Sequence, residues 1–402
     1  MTPALQHKFL DTYRNIGLFL FNTFVLFALI NALLFVLFWI KDSITADPVT
    51  VRYGGESVQK VYGQMPQAEV DQLLKETWSR PLLYEAYTQF KERPFTGKYV
   101  NVHEQGFRLS KEQGPWPPQS ANLNIFLFGG STTFGYGVSD EQTIASYLQQ
   151  YLVGKLQRPV CVYNFGRGFY YSTQELILYE RLLISGFVPD IAIFIDGVND
   201  FYHYNDEPLF TERLQVFIRG DKKEPESKLA VISKLPMARF ARIILRILHP
   251  LPVDTTTITI ATTNLFPQSY DNQPLLEAVI DRYLQNKKLI EAVSDVFSVE
   301  PVFVWQPVPT YDYDFHNYPF IEGGFDRHTY SKYGYEIMAS RFDKEAFGNN
   351  FLWCADIQKD IEEPLYIDKF HYSPPMSNLF AERIMILMIE RKLLPDMLGT
   401  FD

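Results

Sequence analysis

Cysteine is almost missing from this chain, with two residues, Cys161 and Cys354, among 402. Two thiols cannot build a disulfide framework, and their spacing fits no zinc pattern. One bridge between them and two buried free thiols both stay open. Positive charge is in deficit as well. A formal net charge of −10 argues against a broad phosphate-binding surface. With no nucleic-acid motif present either, nucleic acid is not an expected partner. Internal repeats and low-complexity tracts are lacking, which sets aside repeat architectures and compositional disorder.

What is present points to a packed body. Hydrophobic residues make up 47% and charged residues 21%, enough apolar material for a real core. The length leaves room for one large domain with additions, or for two ordinary ones.

Charge is wholly absent from Asn15 to Ile40, a stretch of 26 residues dominated by Leu, Phe, Ile and Val. At a helical rise of about 1.5 Å per residue it exceeds the roughly 30 Å hydrocarbon core of a bilayer. A cleaved signal peptide has a shorter apolar region and a small-residue cleavage site, and this segment shows neither. Asn22 and Asn31 are nine residues apart and make no common polar seam. The reading is a lone transmembrane anchor. Lys8 and Arg14 before it nearly balance Lys41 and Arg52 after it, so flanking charge does not set orientation. The short tail before a large domain suggests a single-pass protein with an extracytoplasmic catalytic domain.

The expected organisation is a tail and anchor at 1–41, a juxtamembrane accessory segment at 42–118, and a core domain at 119–402. A helix is predicted near Gln67–Glu76 and a short hairpin over Gly97–Arg108, turning at Gly106. Gly114-Pro115-Trp116-Pro117-Pro118 reads as a punctuating linker. Beyond it, strands are predicted at Ile125–Phe128, Cys161–Asn164, Ile191–Ile195 and Pro301–Trp305. Helices are predicted at Glu141–Leu156 and Ser172–Ile184. Continuous apolar strands alternating with helices indicate a parallel sheet covered on both faces. An insertion at about 207–295 interrupts the pattern. Within it Lys222–Glu226 reads as a solvated loop and Leu235–Leu248 as a basic amphipathic helix, with Arg239, Arg242 and Arg246 at three- and four-residue spacing. That helix suits either a lid on the core or an anionic membrane surface.

Three segments carry chemistry. The apolar run Asn124–Phe128 ends at Gly129-Gly130 and delivers Ser131. A second run, Ile191–Ile195, ends in Gly197-Val198-Asn199-Asp200. Far downstream, Asp368-Lys369-Phe370-His371 sets a carboxylate three residues before a histidine. A serine hydroxyl needs a base within hydrogen-bond reach, a group to orient that base, and donors for the oxyanion. These segments supply all of them: Ser131, His371, Asp368 and Asn199. His203, three residues after Asp200, is the alternative base. His7, His103, His249, His316 and His328 read as surface or structural residues, and Asp200 as a helix N-cap. Asp190 and Asp196 receive no role.

Thr133 stands where the Gly-x-Ser-x-Gly nucleophile elbow needs its second glycine, so that motif is excluded. The arrangement instead resembles the SGNH/GDSL hydrolase superfamily. Gly129, Ser131 and Gly135 match its first block, with Gly130 replacing the usual Asp. Asn164-Phe165-Gly166-Arg167-Gly168 is similar to the second block, Gly197–Asp200 to the third and Asp368–His371 to the fifth. The resemblance covers roughly Asn122 to Arg391. It implies an α/β, flavodoxin-like three-layer sandwich with a parallel central sheet. It also implies Ser131 as nucleophile, His371 as base and Asp368 as its orienter. The oxyanion donors would be the Ser131 N–H, the Asn199 amide and the N–H of Gly168 or, in an ungapped alignment, of Phe169.

The expected function is a membrane-anchored serine esterase or acyl hydrolase acting through an acyl-serine, with no cofactor and no metal. A glycan, lipid or small-molecule ester would all fit as substrate. An O-acyltransferase acting on an envelope or extracellular glycan uses the same chemistry. A catalytically silent binding or assembly protein is the third reading, and the intact Ser131, Asp368, His371 and Asn199 argue against it.

Overall fold

The computed structural model describes residues 3–44, 60–211, 213–215, 235–248, 269–314 and 324–395. Two compact units emerge from it. Residues 1–46 and 212–264 form one, and residues 47–211 and 265–402 form the other.

The larger unit is built on strands β5 (Leu123–Gly129), β6 (Val160–Asn164), β7 (Ile191–Asp196), β8 (Glu300–Trp305) and β9 (Phe351–Trp353). Their order in the sheet is β6-β5-β7-β8-β9, and every pairing is parallel. The apolar runs are continuous because both faces are covered. Alternation along each strand sorts the two layers. Phe126, Phe128, Phe194, Phe303 and Trp305 point into an aromatic layer, packed with the helices Ser172–Ile184, Gln273–Phe297 and Thr329–Phe342. Ile125, Leu127, Ile193, Ile195, Val302 and Val304 point into an aliphatic layer, under the helices Ile144–Leu152 and Pro374–Glu390. Each such side chain, fully buried, contributes roughly 1.5–3 kcal/mol. The three-layer α/β sandwich expected from the sequence is the fold observed.

Strand order places the site. The chain goes from β5 outward to β6 and then back across β5 to β7, so the loops leaving these three strands are neighbours at the sheet's carboxyl edge. In open α/β sheets such a switch point leaves a crevice. Ser131, Gly168 and Asn199 lie on those three loops.

The segment before the core is woven into the same unit. The short strands β1 (Leu83–Glu85) and β2 (Gln89–Lys91) form one antiparallel hairpin, and β3 (Phe95–Thr96) and β4 (Asn101–Val102) form another. Arg108 then bridges from Val102 to Asn164 on β6. Its guanidinium is fully buried, with Asp140 at 2.9 Å and the carbonyl oxygens of Phe134 at 3.1 Å and Val138 at 2.6 Å. The loop just past Ser131 is thereby pinned from the N-terminal side.

One stretch read as insertion belongs to the sandwich. The helix Gln273–Phe297 buries Leu276, Val279, Ile280, Tyr283 and Ile290 in the aromatic layer, as part of the crossover from β7 to β8. The loop reading of Lys222–Glu226 lies outside the described residues. Cys161 and Cys354 are both free and buried.

Candidate active site

Ser131 opens the short helix Ser131–Phe134 directly after β5. The turn that aims it depends on two glycines. Gly129 has φ of +154°, and a β-carbon there would collide with the Thr133 side chain. A β-carbon at Gly130 would fall on the Asn199 amide nitrogen. The absent Asp of the first block therefore leaves room that the Asn199 side chain occupies.

His371 and Asp368 share one tight loop. Tyr366 and Tyr372 pair across it, and Ile367 N donates to His371 O at 2.9 Å. The loop ends where Ser373 caps the helix Pro374–Glu390: its hydroxyl accepts from Met376 N at 3.3 Å. Ser at N-cap followed by Pro is a strong helix start. Asp368 Oδ1 accepts from the N–H groups of Phe370 and His371, both at 2.8 Å. Its Oδ2 lies 2.7 Å from His371 Nδ1, and His371 Nε2 lies 2.8 Å from Ser131 Oγ. Burial would raise the Asp368 carboxyl, but the His371 ring and the two backbone N–H groups hold it below its ordinary value. A histidine and an aspartate of one loop and a serine 240 positions away thus form one continuous hydrogen-bonded chain.

Asn199, on the short helix Val198–Tyr202 after β7, is buried and donates from Nδ2 to Tyr170 O at 2.7 Å. Its amide nitrogen borders the Gly130–Ser131 turn. An oxyanion donor acts on the transition state, so Asn199→Ala should lower kcat by about 10²–10³-fold, more than it raises KM. A residue that merely braced the Tyr170 turn would instead lower Tm and leave turnover per folded molecule intact. Both quantities are measurable on one preparation.

Gly168 is placed differently from its sequence assignment. Its N–H donates to the buried Glu92 carboxylate at 3.1 Å, so it is already committed. The adjacent Phe169 is held at φ of +64°, a left-handed conformation uncommon for a side-chain-bearing residue. The backbone at this loop is turned over at Phe169, the position of the ungapped alignment.

His203, the alternative base, lies away from the serine. Its two ring nitrogens sit 2.8 Å from Glu207 O and 3.0 Å from Phe169 O. Burial pushes its pKa down to about 4. Asp200 is not the N-cap residue itself. It sits inside the helix Val198–Tyr202, where Oδ2 accepts from Gly197 N at 3.2 Å and Oδ1 from Ser172 Oγ at 2.5 Å.

Several supporting residues escaped sequence reasoning. The Tyr136 ring stacks on His371 (centroids 5.6 Å apart, planes at 19°), and Trp78 meets the same imidazole edge-on at 4.9 Å. Tyr136 donates its hydroxyl to Glu92 at 2.8 Å, and Arg80 pairs with that carboxylate at 3.3 Å. Gln306 Oε1 accepts from Thr132 at 2.8 Å and from Tyr372 at 3.0 Å, tying the serine helix to the histidine loop. His328 rests 3.8 Å from Phe370, and burial lowers its pKa to about 3. Only the Gly135-Tyr136-Gly137 turn carried any local signal.

Behind Asn199 lies a fully buried acidic trio, Glu175, Asp196 and Asp200. Burial, then Asp196 and Asp200, push the Glu175 carboxyl well above its ordinary 4.5. A carboxyl with a raised folded-state pKa stabilises fully below its unfolded value and loses that contribution as pH rises toward the folded one. The loss is about 1.4 kcal/mol per pH unit for each proton. Glu175→Gln removes it, so Tm of the parent should fall relative to Glu175→Gln as pH rises above the ordinary carboxyl value of 4.5. A Tm difference independent of pH would contradict this.

The GDSL-like lipase/acylhydrolase family model matches residues 127–318, a span that holds Ser131 and Asn199. The match spans just under half of the chain. No curated protein matches the chain. Among solved structures, a lipase/acylhydrolase from Enterococcus faecalis is similar at 15% identity, covering 69% of this chain and 99% of its own, with a TM-score of 0.32. A lipolytic G-D-S-L family member from Veillonella parvula is similar at 12% identity, covering 66% and 98%, with a TM-score of 0.33. The lipase Lip_vut3 from goat rumen metagenome is similar at 10% identity, covering 66% and 97%, with a TM-score of 0.38.

Proposed function

We propose that this protein is a GDSL-family, membrane-anchored serine esterase that cleaves an ester through an acyl-serine intermediate. The observation that carries the reading is the unbroken chain from Ser131 Oγ through His371 to Asp368, at 2.8 and 2.7 Å.

Ser131 Oγ attacks the ester carbonyl while its proton passes to His371 Nε2. Asp368 accepts from Nδ1–H, which fixes the tautomer and stabilises the imidazolium. The Asn199 amide and the N–H groups of Ser131 and Phe169 receive the negative oxygen of the tetrahedral intermediate. Collapse expels the alcohol, which takes the proton from His371. Water then repeats the sequence on the acyl-serine, releasing the acid and restoring Ser131. Tyr136 and Trp78 hold the imidazole plane throughout.

The anchor in this reading is the helix Pro3–Ile44. Its stretch Thr12–Ile40 is long and apolar enough to cross a bilayer. The large unit would then work outside the cytoplasm on an ester-bearing glycan, lipid or small molecule. Detergent-solubilised full chain should hydrolyse p-nitrophenyl acetate, and Ser131→Ala should abolish that turnover. Equal activity of parent and variant would sink the reading.

A further inference from the structure

The helix Pro236–Leu248 falls in the same compact unit as the N-terminal helix, and it begins against the anchor's polar residue. Met237 N donates to Asn31 Oδ1 at 3.1 Å. Asn31 Nδ2 approaches Met237 Sδ at 3.9 Å and also donates to Phe27 O at 2.9 Å.

The depth of that contact matters. Asn31 lies nine residues before Ile40, the end of the apolar stretch. At about 1.5 Å per residue, it sits about 13 Å inside that end. The first N–H groups of a helix have no intrahelical acceptor, and in hydrocarbon each needs another partner. Here Pro236 has no N–H to satisfy, and the N–H of Met237 is taken by Asn31. The first two positions of this helix therefore need no water.

Charge and apolar surface agree with that depth. The Arg239 guanidinium lies 4.3 Å from the Phe38 ring, two residues from the end of the stretch. A long cationic side chain that starts within the apolar layer and ends at its margin is the snorkelling arrangement. Phe240 and Ile244, on another side, are 43% and 37% exposed.

We infer that the helix Pro236–Leu248 is a second membrane element, lying beside the anchor in the leaflet at its Ile40 end, with Phe240 and Ile244 among acyl chains and Arg239 at phospholipid headgroup phosphates. This rests on the membrane-anchored reading above. The partner is the bilayer itself. Because residues 212–264 interrupt the large unit in sequence, that unit is then tied to the bilayer both through the anchor and through its own insertion.

The test uses the full chain in phosphatidylcholine–phosphatidylglycerol vesicles, spin-labelled at single introduced cysteines. The two native cysteines are buried and leave little background. Labels at Leu26→Cys, mid-anchor, and at Ile244→Cys are compared for collision with oxygen, which enters lipid, and with a water-soluble nickel chelate. Oxygen accessibility should exceed nickel accessibility severalfold at both positions. If Leu26→Cys reports lipid while Ile244→Cys reports nickel, the helix lies in water and the inference falls, with the anchor intact. Shielding of Ile244→Cys from both reagents would show a protein-covered helix and overturn it equally. Nickel access at Leu26→Cys would defeat the anchored reading itself.

Discussion

His371→Ala should lower kcat for ester hydrolysis by about 10⁴–10⁶-fold, the range seen when a member of a catalytic triad is lost. The expectation follows from geometry. His371 Nε2 is 2.8 Å from Ser131 Oγ, while the ring of His203 is spent between two backbone carbonyls. The losses should not add. Ser131→Ala and the Ser131→Ala/His371→Ala pair should be about as slow as His371→Ala alone, because the residues act as one unit. Steady-state turnover of the three variants, corrected for folded protein by Tm and near-ultraviolet dichroism, checks this. A His371→Ala enzyme within tenfold of the parent would mean another group takes the proton.

Asp368→Asn should cost about 10⁴-fold in kcat with the fold retained. Asn can keep the acceptor role of Oδ1 toward the N–H groups of Phe370 and His371, so the loop closes as before. What changes is the other atom. An amide facing His371 Nδ1 donates where the carboxylate accepted, which leaves the proton on Nε2 and the ring unable to take one from Ser131. Stability should respond at acid pH. The Asp368 carboxyl is held below its ordinary 3.8, so it contributes stability above that value and loses it as pH falls through the folded-state pKa. The advantage of the parent over Asp368→Asn in Tm should therefore shrink on acidification. An unchanged kcat would remove Asp368 from the mechanism, and an advantage that grows in acid would reverse its electrostatics.

Much of the sandwich was legible because its strands are short apolar runs closed by glycine or polar residues. The helices Ser172–Ile184 and Pro236–Leu248 carried plain periodicity. The edge strand Phe351–Trp353 was not legible, since three residues hold no pattern. The helix Gln273–Phe297 does carry a helical stripe at Leu276, Val279, Ile280 and Tyr283. With no strand between it and β7, the whole stretch read as an insertion.

Within the site, Ser131, Asn199, Asp368 and His371 stood out because each ends or follows a compact motif. The groups around them did not. Trp78 reaches His371 from 293 positions away, and Glu92 takes the Gly168 N–H from a hairpin that reads as accessory. No local spacing encodes such contacts. They arise only when the helix Gln67–Trp78 and the segment after it pack against the loops that carry His371 and Gly168.

The most direct test of the acyl-serine account is covalent. A fluorophosphonate incubated with detergent-solubilised full chain should add one phosphonate per molecule, located by peptide mass spectrometry on Ser131, with parallel loss of esterase activity. Asp368→Asn should label far more slowly and Ser131→Ala not at all. A phosphonate found on any other residue, or labelling of Ser131→Ala at the parent's rate, would contradict it.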